Sequence, residues 1–142
     1  MATRSRIAIE REGGSVESIY CHWDGYPSNN GVLLLENYTD RKKVEELIAL
    51  GDISSLGEEV EPMDEWPHPY DSPEKGVTVA YHRDRGEEKN DPKHHRDLDH
   101  FVRSDVEEYG YLFTKEGEWL FVDGNKSSST REAISLKSVI KD

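Results

Sequence analysis

Ser18–Pro27, SIYCHWDGYP, decides how the chain is read, because it carries a strand pattern, a polar face and a chain reversal in one short run. Strand side chains alternate with period two, so Ile19, Cys21 and Trp23 are expected on one face and Tyr20, His22 and Asp24 on the other. The first set suits a core and the second suits chemistry. Gly25-Tyr26-Pro27 then breaks the strand. Upstream, Arg4–Glu10 reads as a strand with Ile7 and Ile9 inward, and Gly13-Gly14-Ser15 supplies the turn between the two, so the chain is expected to open on a β-hairpin. In that hairpin Arg4 and Arg6 share the face opposite Ile7 and Ile9. They would stand beside Tyr20, His22 and Asp24, or pair with an acid across the strands.

Downstream, Ser28-Asn29-Asn30-Gly31 offers turn and capping residues before a short helix that begins at Val32–Leu35 and ends near Tyr38. A second helix is predicted over Asp40–Leu50. Val44, Leu47 and Ile48 recur at helical spacing, Asp40 fits the N-cap and Gly51 the position just past the C-terminus. From Asp52 to Lys75 periodicity is lost and four of the six prolines cluster, which predicts a long loop. Gly76–Tyr81 follows as a β-branched strand running into VAYHRDRGE. Its alternation sets Thr78, Ala80, His82 and Asp84 on one face and Val77, Val79, Tyr81 and Arg83 on the other. His94–Tyr109 reads as a helix with Leu98, Phe101, Val102, Val106 and Tyr109 inward and Gly110 as its stop. A hairpin over Tyr111–Thr114 and Glu118–Val122 comes next. Ser129 and Glu132 match a capping box for a last helix over Thr130–Ile140, although Ile134, Leu136 and Ile140 also fit period two.

The expected fold is therefore α+β: an antiparallel sheet of about five strands with three to four helices packed mainly on one face. With 142 residues the chain suits one domain, 1–142, with a long acidic loop at 51–75. Hydrophobic residues make up only 34% and charged residues also 34%, so the core is modest; seven Tyr, three Trp and three Phe nevertheless argue for a folded domain.

The formal net charge of -12 repels nucleic acid and anionic membranes as bulk partners. The acids are uneven: Gly51–Glu74 holds Asp52, Glu58, Glu59, Glu61, Asp64, Glu65, Asp71 and Glu74 without one Lys or Arg. Such a stripe solubilises a loop or mimics a phosphate backbone. In the same loop Trp66, His68 and Tyr70 either clamp a ligand or pin the loop to the core. One cysteine excludes an internal disulfide. MATRSRIAIE lacks an apolar signal-like stretch and no apolar run approaches membrane-spanning length, so the expected location is cytoplasmic.

The two His-x-Asp segments are the main functional lead. If the strands bearing them are neighbours, His22, Asp24, His82 and Asp84 form one cluster. That set has the donor types for a metal, and a small metal-dependent hydrolase is one reading. It lacks the spacing of known zinc motifs, and His95 with Asp99 is better read as a surface charge pair than as a metal pair. No catalytic residue is assigned and no cofactor is expected. Binding without catalysis uses the same region: Tyr20, Trp23, Tyr26 and Tyr81 offer flat surfaces, His22 and His82 offer donors, Asp24 and Asp84 orient them, and Arg83 and Arg85 meet an anion. A third reading makes these residues purely structural.

The strings RSRIAIE (Arg4–Glu10), SIYCHWDGYP and VAYHRDRGE (Val79–Glu87) are similar to those of a family of small tailed-bacteriophage proteins. The resemblance covers about the first 90 residues. It implies a virus-encoded protein acting in the host bacterial cytoplasm, and it favours binding over metabolism without carrying over any activity. The leading expectation is an accessory protein that sequesters a small host ligand, best a nucleotide-type defence signal. The alternative partner is a host nuclease or repair protein held by the acidic loop as a DNA mimic. A homo-oligomer stays open.

Overall fold

The chain opens on the expected hairpin. β1 (Ser5–Glu10) and β2 (Val16–Cys21) pair antiparallel with Ser5 opposite Cys21 and Glu10 opposite Val16. Gly14, at φ +93°, supplies the left-handed residue that their turn requires. The computed structural model describes residues 3–60, 78–81, 92–104, 106–127 and 129–140.

After β2 a π-helical turn at Pro27–Gly31 leads directly into α1 (Val32–Asn37), and α2 (Arg41–Ala49) follows. The Asp40 carboxylate accepts from the Lys42 amide and caps α2, while Gly51 at φ +77° ends it, as the sequence pattern predicts. β3 (Ile53–Ser55) then returns parallel to β2. The remaining strands are β4 (Val79–Ala80), β5 (Lys93–His95), β6 (Tyr109–Phe113), β7 (Trp119–Asp123) and β8 (Ile134–Ser135). Helices α3 (Leu98–Arg103) and α4 (Leu136–Val139) complete the described elements.

The architecture is α+β, but the sheet is mixed and has eight strands among the described residues, not about five antiparallel ones. Its order is β4-β3-β2-β1-β6-β7-β8, with β5 also on β2. β1 pairs parallel with β6, and β2 parallel with β3. The second departure follows from the connection. A helical crossover brings the chain back in the direction it left, and α1 with α2 makes that crossover between β2 and β3. The unexpected strands β3, β5 and β8 have two or three residues, too few for period-two alternation to register.

The sheet buries both faces. On the first, Ile7, Ile9, Ile19, Cys21, Tyr111 and Phe113 pack with Leu34 of α1, Val44, Leu47 and Ile48 of α2, and Leu136 of α4. On the second, Ala8, Val16, Leu112 and Val122 pack with Phe101 and Val102 of α3 and with Val106. Three described helices thus cover one face and α3 the other.

Two predicted helices are corrected. The one over 94–109 is a strand at Lys93–His95, a helix only from Leu98 to Arg103, and strand again from Tyr109. Ser104 is extended and Glu107 is left-handed at φ +65°, so helical geometry ends well before Gly110. Gly110 is no helix stop; it lies opposite Arg6 in the sheet, where a Cβ would stand 3.0 Å from Val106 Cβ. The helix over 130–140 is β8 followed by one turn at Leu136–Val139, so the period-two alternative holds at its start. Among the described residues no helix is long and apolar enough to cross a membrane.

Candidate ligand-binding site

The candidate site grows from the end of β2. Pairing with the next segment continues past Cys21: the His22 amide donates to the Ile53 carbonyl at 3.2 Å and the Trp23 amide to the Ser54 carbonyl at 3.0 Å. The Asp52 carboxylate accepts from the Tyr20 amide at 2.9 Å, and the Asp52 carbonyl accepts from the Tyr81 amide at 3.3 Å. One residue thus ties Tyr20 and Tyr81 to a common support.

Tyr20, His22 and Trp23 form a connected ring cluster. The Tyr20 hydroxyl lies 2.7 Å from His22 Nδ1, with ring centroids 6.0 Å apart. The His22 ring meets Trp23 edge-on at 4.7 Å and 88°. Burial raises the Tyr20 pKa, opposed by the charge of Arg4 and reinforced by Tyr81 and Glu107. The phenol therefore keeps its proton at neutral pH, and its hydroxyl fixes the orientation of the imidazole through Nδ1, which leaves Nε2 facing away from Tyr20. Trp23 is 42% exposed and Tyr26 38%, whereas Tyr20, His22 and Tyr81 are half-buried. The arrangement has a wet indole beside a ring fixed from behind, the form of a stacking platform with a polar donor at its edge.

Asp24 departs from expectation. β2 ends before it and its φ is +57°, so it does not continue the face of Tyr20 and His22. Its carboxylate instead accepts from the Tyr26 hydroxyl at 3.4 Å, within the reversal. That reversal is clamped onto β1. Gly25 is buried, its amide donates to the Thr3 carbonyl at 2.8 Å, and the Tyr111 hydroxyl donates to the Gly25 carbonyl. Buried Asn30 sits 3.4 Å from Cys21 Sγ and 3.5 Å from Ser5 Oγ. Cys21 is inward as predicted, and burial pushes its thiol up to about 11, which removes it as a nucleophile.

The strands that lead into the two His-x-Asp segments are not neighbours. β4 pairs with β3, which stands between it and β2. Of the second segment Tyr81 is close enough to act on Tyr20, while His82, Arg83, Asp84 and Arg85 lie outside the described residues. Among the described residues no group of three or more His, Cys, Asp or Glu could hold a metal. His22 and Asp24 are also not the strand-spaced pair that the metal reading assumed. In the acidic stretch, Glu59 pairs with Lys43 at 3.0 Å and the Glu58 carbonyl accepts from the same ammonium; Glu61 to Glu74, with Trp66, His68 and Tyr70, lie outside the described residues.

Sequence reasoning missed Ser18 and His95. Arg6, opposite Tyr20, donates to the Ser18 hydroxyl at 3.2 Å and pairs with no acid across the strands, and the same hydroxyl lies 2.8 Å from His95 Nε2. His95 is wholly buried in β5 and forms no surface pair with Asp99, which instead meets Arg103 at 3.4 Å. The only signal was a shared parity: Arg6, Ser18 and Tyr20 alternate onto one face. A depression of about 520 Å³ lies elsewhere, lined by Leu35, Thr39, Gly117, Glu118, Trp119 and Lys137, and includes no expected site residue.

Comparison with protein-family models, curated proteins and solved structures finds no match. The functional reading therefore rests on the geometry of these side chains.

Proposed function

We propose that the protein is a non-catalytic binding protein, of phage origin and acting in a bacterial host, that captures a small nucleotide-type ligand at the end of β2. The observation that carries this reading is the exposed Trp23 indole braced edge-on by His22, whose ring the Tyr20 hydroxyl holds in one orientation. A base stacks on the indole, the His22 N–H donates to a polar edge, and Arg4, exposed and close enough to act on Tyr20, meets a phosphate. Preorganised rings lose little conformational entropy on binding, which favours recognition of a flat ligand by a small surface.

Calorimetry against mononucleotides, dinucleotides and cyclic nucleotides tests the proposal. The expected result is saturable heat with at least one member, weakened tenfold or more by Trp23→Ala and by His22→Ala. Absence of heat across the panel, or affinity untouched by both substitutions, overturns it.

A further inference from the structure

β5 is held against β2 by a buried imidazole, His95, packed beside a hydroxyl that already holds a cation. His95 lies opposite Val16, with Nε2 2.8 Å from the Ser18 hydroxyl, and that oxygen already accepts from Arg6. A guanidinium keeps its protons, so the Ser18 hydroxyl holds a fixed cation on one side and the His95 ring on the other. Nδ1 is buried and has no hydrogen-bond partner among the described residues. The ring also stands edge-on to Phe101 at 5.1 Å.

The charges that face this ring are of one sign. Arg6 acts from β1, Lys93 and His94 from β5 itself, and His100 from α3. The nearby acids are engaged: Glu17 of β2 pairs with Arg11 at 2.6 Å, and Asp97 caps α3 through the His100 amide and lies 3.6 Å from Arg96. Burial first, and then these cations, lower the His95 pKa to about 4.

We propose that β5 is an acid-released latch, in which a proton on His95 drives the ring from its seat beside Ser18 and lifts Lys93–His95 off the edge of β2. An imidazolium in the seat would place two cations on one hydroxyl and keep an unpartnered N–H in the interior; release into water relieves both. Arg131 sets the hinge, since its guanidinium donates to the carbonyls of Val102 and Ser104 at the end of α3 and to those of Gly124 and Lys126. The core on the opposite face holds no buried imidazole or carboxylate among its described residues and stays closed.

The direction follows from linkage. The closed state has the lower pKa, so the latch is unaffected above the ordinary histidine value and weakens as pH falls from about 6.5 towards 4, with no further loss below. Opening rises by up to tenfold per unit in that window, roughly 20-fold at pH 5 relative to pH 7.

Amide hydrogen exchange of the full chain at pH 7 and pH 5, corrected for intrinsic rates, tests the latch. Amides of residues 93–95 and 16–18 are expected to lose protection by roughly that factor while the fluorescence of buried Trp119 stays constant. His95→Gln, which accepts from Ser18 and cannot titrate, should abolish the pH effect. Should that variant not fold, Arg6→Gln, which removes one repelling cation, should reduce it, and the His95 ring signal in NMR should titrate well below the ordinary histidine value. Equal protection at both pH values, loosening of 93–95 only together with the Trp119 core, or an ordinary His95 titration with β5 still protected would overturn the proposal.

Discussion

The Tyr20 hydroxyl and His22 Nδ1, two residues apart at the end of β2, stand 2.7 Å apart. The bond crosses from the last regular turn of the β2 pleat to the first residue beyond it, so a rigid strand orients a ring that is otherwise half in water. Tyr20→Phe removes it without altering ring size. We expect a stability loss of about 0.5 kcal/mol, the low end for one hydrogen bond because the pair is half-buried, and a roughly fivefold weaker ligand affinity as the imidazole gains rotational freedom. Chemical denaturation and calorimetry on the same variant separate the two effects; an affinity loss no larger than the stability loss predicts would sink the orienting role.

Gly25 should tolerate no side chain. A Cβ there would stand 2.7 Å from Ser5 Cβ and 2.8 Å from the Thr3 carbonyl oxygen, both on or next to β1. Backbone on one side and a buried Ser5 on the other cannot yield as a flexible side chain would. Gly25→Ala is expected to cost about 2–3 kcal/mol, the range for forced overpacking, read from urea denaturation. A loss under about 0.5 kcal/mol would show that the reversal shifts freely and that Trp23 and Tyr26 are not held by it.

Much of the scaffold was legible from residue pattern because its long elements are locally consistent. The β1–β2 hairpin, α2 with its Asp40 cap and Gly51 stop, and the β6–β7 hairpin each carry turn chemistry and periodicity that agree. Pairing partners were less legible, since they depend on where a crossover delivers the chain. Helices α1 and α2 between β2 and β3 were the available sign of a parallel pair, but three residues of β3 make too weak a strand signal to act on. At the site, alternation placed Tyr20 and His22 correctly up to the point where the strand stops. Asp24 failed because its left-handed backbone, stabilised by the clamp on Gly25, leaves no periodic trace. His95 failed because a buried imidazole in a three-residue strand looks like any polar residue ahead of a helix.

Cys21 should behave as core. Full burial keeps its thiol near 11, so at pH 7–8 almost none is thiolate, and Asn30 and Ser5 enclose the sulfur. Native protein is expected to react with a thiol reagent at least a hundredfold more slowly than unfolded protein, at a rate that tracks unfolding and not reagent pKa. Burst labelling of the native state would place the thiol at the surface and require another account of the end of β2.

Arg131 links segments that no strand pairing joins. It donates to the Lys126 carbonyl at 3.0 Å and Gly124 at 3.1 Å, and to Val102 at 3.3 Å and Ser104, so one guanidinium satisfies carbonyls at the end of α3 and in the turn after β7. Carbonyls at a helix C-terminus lack intrahelical partners, and a charged donor that reaches several of them from one rigid fork is worth more than separate neutral bonds. Arg131→Lys keeps the charge but loses the fork, whereas Arg131→Ala loses both. We expect about 1 kcal/mol of destabilisation for the first and about 2–3 kcal/mol for the second, measured by thermal or urea unfolding. Equal effects of the two would assign the stabilisation to geometry alone. A loss below about 0.5 kcal/mol in the alanine variant would mean that solvent replaces the clamp, and α3 would then be held to the second face by the packing of Leu98, Phe101 and Val102.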